Sequence, residues 1–170
     1  MCEMLRILPE GHDETYIQAW DRVNMQTARK RELGTQILLR VVNAERPLRL
    51  IEMQHALAIR EGDDELDTTG FISLATLTSY CAGLVVVDEQ RKSLSLVHAT
   101  AQEFFNARKK DLFPKAHKVM ASTCLTYLNL QNFRNEGALS DPRLFTDRWQ
   151  RYQLLGYAAV NWGVHAQLTS

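Results

Sequence analysis

Cysteine is scarce and unpaired in this chain of 170 residues: Cys2, Cys81 and Cys124 are odd in number and far apart. That excludes the disulfide framework of a small secreted domain and points to reduced thiols inside the cell. A surplus of either charge is also lacking, since 20 Lys and Arg balance 20 Asp and Glu. A neutral chain gives no support to a nucleic-acid or anionic-membrane partner, which a basic excess would announce. No run of about 18 apolar residues occurs, so no segment reads as a membrane span. The opening Met1-Cys2-Glu3-Met4-Leu5-Arg6 lacks the apolar centre of a signal peptide. These absences predict a soluble, cytoplasmic protein with no membrane partner.

The chemistry of an enzyme is missing too. The phosphate cradle Gly-x-x-x-x-Gly-Lys-Ser/Thr does not occur. His12, His55, His98, His117 and His165 stand at no metal-ligand spacing from one another or from the cysteines. Spacing argues for no Ser–His or Cys–His pair. The acidic loop Asp63-Asp64-Glu65-Leu66-Asp67 fails as a calcium loop, because Thr68 and Leu74 occupy the places where an EF-hand needs Gly and Glu. The chain therefore reads as non-enzymatic, with no catalytic residue, no metal site and no cofactor of its own.

What is present is an ordinary globular composition, 45% hydrophobic and 24% charged, enough for one domain or slightly more. Met1 to Leu8 reads as a helix remnant ended by Pro9 and Gly11. Asp13 is the expected N-cap of the next helix, in which Tyr16, Ile17, Trp20 and Val23 form one apolar stripe. A helix from Ala28 to Asn43 turns Leu33, Ile37, Leu38, Val41 and Val42 inward. Gly34 weakens it by about 1 kcal/mol against Ala. After extended Arg46–Leu50, a short helix over Ile51–Ile59 buries Met53 and Leu57, poorly capped by Arg49. Ser73 caps a helix running to Ala82, with Leu74, Leu77 and Cys81 on one side and Gly83 as its C′ residue.

The stretch Gly83–Phe105 organises the rest. Leu84–Val87 is β-rich, Asp88–Ser93 is a polar turn, and Leu94–Val97 alternates before ending at His98, which reads as a hairpin. A helix from Thr100 to Lys109 follows, carrying Phe104 and Phe105. Pro114 opens another, to about Leu130, with Ala116, Val119, Met120, Thr123, Cys124, Tyr127 and Leu128 inward. Gln131–Thr146, with Gly137 and Pro142, reads as a polar connector. Asp147 to about Gly163 is expected as one final helix presenting Trp149, Tyr152, Leu155, Ala159 and Trp162. The tryptophans read most simply as core; a face of the last helix could instead be an interface.

Helix, short helix, loop, helix, hairpin is the order of a winged helix, a helix-turn-helix with a two-stranded β wing. The fold class is thus mainly α: a winged helix over residues 28–110, an α-helical domain beginning at 111–170, and linker helices over 1–27. Winged helices often read DNA. The recognition helix here, Ser73–Ala82, contains no Arg, Lys, Asn or Gln, and the wing offers only Arg91 and Lys92. Those are the side chains that grip phosphates and bases, so nucleic acid is an unfavoured partner. Leu84-Val85-Val86-Val87-Asp88-Glu89 imitates the strand-plus-acid that holds Mg²⁺ in P-loop NTPases. Without a phosphate cradle it reads as a hairpin turn.

Several blocks carry a family likeness. Leu8-Pro9-Glu10-Gly11 with Asp13-Glu14-Thr15-Tyr16, Arg46-Pro47-Leu48 with Leu57-Ala58-Ile59, Cys81–Asp88, Leu96–Phe105, Ala116-His117 with Thr123–Leu128, and Leu154–Ala159 with Trp162-Gly163 resemble, in order, the region after the nucleotide-binding module of fungal NACHT-type STAND NTPases. The resemblance implies a piece of a longer NLR-like protein. Its NACHT module would lie before Met1, and ankyrin or WD40 repeats would lie after Ser170. Such proteins signal in innate immunity or heterokaryon incompatibility, bind ADP and ATP, and oligomerise when active. The chain's partners would be those upstream and downstream modules. In related proteins a histidine closing the winged helix touches the β-phosphate of ADP, in a Met-His-Asp motif. Here Val97-His98-Ala99 occupies that place, so the resemblance implies that His98 is an ADP-phosphate sensor, with Ala99 replacing the acid. The implied role is a regulatory module holding the resting state. A nucleotide-independent interaction adaptor and a DNA-binding winged helix stand as the alternatives.

Overall fold

The computed structural model describes residues 10–134 and 142–169. The expected remnant at Met1–Leu8, together with Pro9, Cys2 and Gly137, lies outside them. Helix α1 spans Glu10–Asn24, α2 Ala28–Asn43, α3 Leu50–Ala58 and α4 Leu74–Ser79; strands β1 (Val85–Asp88) and β2 (Ser93–Leu96) follow, then α5 (Ala99–Leu112), α6 (Ala116–Leu128), α7 (Gln131–Arg134), α8 (Pro142–Arg151) and α9 (Leu155–Gln167).

The chain is mainly helical with a winged helix, as its order of elements predicts. Helix α2 is the hub, touching α1, α3, α4, α5, α6 and β2. Its apolar stripe explains this: Ile37, Leu38, Leu39 and Val42 are buried, while Leu33 and Val41 are half-buried. β1 and β2 pair antiparallel, with Val85 opposite Leu96 and Asp88 opposite Ser93. The turn between them is an Asx turn in which the Asp88 carboxylate accepts from the backbone N–H of Gln90 and Arg91, both at 3.0 Å. The extended segment at Leu48–Leu50 lies along β2. The N–H of Leu94 donates to the Leu48 carbonyl at 3.0 Å, and that of Leu50 to the Lys92 carbonyl at 2.9 Å.

One apolar core runs from Tyr16 on α1 to Ala158 on α9. Phe104 and Phe105 are buried in it, edge to face at 5.2 Å, and Trp20 meets Phe105 and Phe113 from α1. Each such phenylalanine contributes about 1.5–3 kcal/mol of apolar burial.

Several local expectations are corrected. Asp13 does not cap α1, which is already helical from Glu10 with Gly11 in its first turn; Asp13 instead pairs with Arg108 of α5 at 2.7 Å. Ile17 is exposed and Ala19 takes its place beside Tyr16 and Val23, because α5 approaches on that side. The α4 helix stops at Ser79, so Gly83 is not its C′ residue. Ala82 (φ 50°) and Gly83 (φ 82°) instead form a left-handed turn into β1. Ser73 does cap α4, accepting from the Thr76 N–H; the Leu74 side chain lies outside the described residues. Pro114 stands just before α6 rather than within its first turn.

The polar connector is partly helical, since α7 occupies Gln131–Arg134 and Pro142 opens α8. The single last helix is two. Tyr152 and Leu154 are both buried, and residues two apart cannot share a helix face, so the backbone breaks between α8 and α9. The break turns Tyr157, Ala158 and His165 inward and leaves Trp149, Ala159 and Trp162 exposed, so of the tryptophans expected in the core only Trp20 packs against it.

Candidate functional site

His98 sits where β2 hands over to α5. The N–H of Val97 still pairs across the hairpin, donating to the Leu84 carbonyl at 3.0 Å. One residue later, the His98 carbonyl accepts from the N–H of Ala101 at 3.1 Å and of Gln102 at 3.3 Å, which starts the helix. His98 is therefore the N-cap residue, with extended backbone (φ −144°, ψ 157°) and no side-chain capping bond. Its ring is exposed.

The platform beneath it is held from the α1 side. The Tyr16 and Thr100 hydroxyls share a hydrogen bond at 2.6 Å across the first turn of α5. Further along, Arg108 pairs with Asp13 and stacks over Phe104 at 4.4 Å. An exposed imidazole beside the unsatisfied N–H groups of a helix start, with no acidic residue in that first turn, can donate to an anionic oxygen. Ala99 supplies no carboxylate to orient the ring. Asp88, of the imitation acidic strand end, is committed to its turn.

His55, His117 and His165 are structural and were not pairable from sequence spacing, while the His12 side chain lies outside the described residues. His55 is buried and shares a 2.6 Å hydrogen bond with the Tyr127 hydroxyl; burial pushes it down to about 4. His117 and His165 meet through their Nδ1 atoms at 3.0 Å, joining α6 to α9, and Nε2 of His165 lies 2.8 Å from the Tyr157 hydroxyl. Burial lowers both, with Lys109 adding to the effect at His117 and His117 adding to it at His165. No group of three or more His, Cys, Asp or Glu among the described residues could hold a metal ion. The buried thiols are unreactive, burial pushing Cys81 up to about 12 and Cys124 to about 11.

Sequence reasoning missed Arg40. It lies three residues after Ile37, on the buried side of α2, and that placement was the available signal. Only 4% of it is exposed. Its guanidinium donates to the Gln36 carbonyl and side chain (3.1 and 2.6 Å), the Ala56 carbonyl (3.3 Å) and the Thr123 hydroxyl (3.2 Å), with no carboxylate partner among the described residues. It also missed Glu52, buried on α3. Arg46 grips its two oxygens at 2.7 and 2.8 Å, and the Arg49 N–H donates to it at 2.7 Å, so the poor cap at Arg49 is remedied from three residues on.

No helix among the described residues is long and apolar enough to cross a membrane. Residues 21–113 match the family described as GPI inositol-deacylase, winged helix domain. No curated protein and no solved structure matches the chain.

Proposed function

The chain belongs to the GPI inositol-deacylase winged helix domain family, and from that premise we propose that it is a non-enzymatic regulatory module of a NACHT-type STAND NTPase. In the resting state it packs on an upstream nucleotide-binding module of the same chain. ADP favours that closed arrangement, and exchange for ATP releases it for oligomeric assembly, a rigid-body switch biased by the ligand. The parent protein binds ADP or ATP and works in the cytoplasm. Innate immune or incompatibility signalling, with ankyrin-type repeats downstream, is its setting.

The observation that carries this reading is the exposed His98 ring at the wing–α5 junction. It stands beside the start of α5, where a phosphate could meet both imidazole and backbone N–H groups. The test is His98→Ala in the full-length parent. ADP release should quicken and activation should be favoured; unchanged ADP retention would remove the sensor.

A second reading, an interaction adaptor independent of nucleotide, is favoured by α9. Val160, Val164 and Leu168 are exposed at four-residue intervals and make one apolar stripe. Following helices or repeats of the same chain would cover it. A phosphate-binding loop in the sequence upstream separates the switch from the adaptor. DNA binding is disfavoured by α4, six residues long without a basic side chain. Micromolar affinity falling steeply with salt would revive it.

A further inference from the structure

Arg40 is a buried cation without an anion. A guanidinium taken out of water needs opposite charge or a full set of hydrogen bonds, and this one has only neutral acceptors. Its burial pulls it down to about 10, with no carboxylate acting to restore it. It lines a cleft of about 570 Å³ between α2, the end of α3 and α6. Arg29, Arg60, Lys115 and Lys118 line the same cleft. All four are exposed, and none makes an ion pair among the described residues. Glu32 and Glu61 also line it and leave the balance positive.

The position of the lysines sharpens the point. Lys115 is the N-cap of α6 and Lys118 lies in its first turn, at the positive end of the helix dipole, where no acidic residue stands. Cations there are unfavourable by a few tenths of a kcal/mol or more each, and a bound anion reverses the sign. The Thr123 hydroxyl, which accepts from Arg40, keeps its own proton to donate into the cleft. A chain of net charge zero has thus gathered unpaired cations from α2, α6 and the loop after α3 around one buried arginine.

We propose that this cleft binds a soluble, multiply charged oxyanion of the phosphorylated small-molecule class. Lys115, Lys118, Arg29 and Arg60 would contact its oxygens, and Arg40 would set the potential beneath them. The volume falls within the range of small-molecule sites. His98 does not line this cleft, so the site stands apart from the proposed nucleotide sensor.

The test titrates the 170-residue chain calorimetrically with inorganic pyrophosphate at low and high salt. One saturable site is expected, weakening with salt. The double variant Lys115→Ala/Lys118→Ala should lose affinity by about tenfold or more. Both side chains are exposed, and far-UV circular dichroism checks that the fold is kept. Arg40→Met should also weaken binding while the helix signal persists, whereas His98→Ala should leave it unchanged. Absence of saturable binding, or undiminished binding in the double variant, overturns the proposal. So does loss of binding in His98→Ala. Vesicles containing phosphatidylserine form a parallel arm, and binding to them without pyrophosphate binding would mark a lipid-facing patch and overturn it as well.

Discussion

Gly34 on α2 faces the carbonyl oxygen of Tyr80 so closely that a Cβ on Gly34 would lie 2.4 Å from it. That oxygen is held from a second side by the Gln26 side-chain amide at 2.9 Å. Read within its own helix, Gly34 is a weakness that Ala would repair by about 1 kcal/mol. In the fold it is the contact point between α2 and the end of α4. Gly34→Ala should therefore destabilise the chain, by about 2 kcal/mol, because backbone rather than a movable side chain must shift. Urea unfolding of the two proteins gives the sign directly.

The histidines predict acid sensitivity. His55, His117 and His165 are all lowered from 6.5 in the folded chain. The unfolded chain then takes up protons first as pH falls. Their contribution is complete above about 6.5 and is lost below it, down to the native values, which for His55 means about 4. The His55 share alone is about 3 kcal/mol. Urea midpoints should fall across that window, and the His55 ring resonance should titrate near its lower edge. A midpoint flat from neutrality down to about 4 would contradict the burial argument.

Glu52 predicts the opposite dependence on partner. Burial alone would raise its carboxyl, yet the Arg46 and Arg49 hydrogen bonds and charges outweigh burial and hold it below 4.5. Its stabilisation is present above that value and disappears as pH falls through the lower native one. Glu52→Gln should cost about 3 kcal/mol, since two arginines lose their shared anion and α3 loses its cap. Thermal unfolding near neutrality measures it.

His98→Ala should change stability by less than about 0.5 kcal/mol, because an exposed ring with no capping bond supports nothing. A larger loss on denaturation would assign His98 to the architecture instead of to a ligand.

The hairpin from Val85 to Leu96 and the hub helix Ala28–Asn43 were legible because each declares itself within a few residues. One shows alternation around an Asp-led turn, the other a stripe ended before Pro47. The place of His98 between strand and helix was legible for the same reason. The break at Tyr152–Leu154 was not, because nothing local says that both side chains will be buried. The outward placement of Trp149 and Trp162 follows from that break.

By itself, then, the sequence determined the order and type of most elements, and with them the winged helix, since periodicity and turn chemistry are short-range properties. Tertiary structure alone decided which charges meet. Arg40 shares a cleft with Lys115 and Lys118, His117 meets His165, and Asp13 meets Arg108, each from separated segments, and such meetings depend on how α1, α2, α5, α6 and α9 pack. A net charge of zero is a sum over the chain and carries no record of where folding segregates the signs.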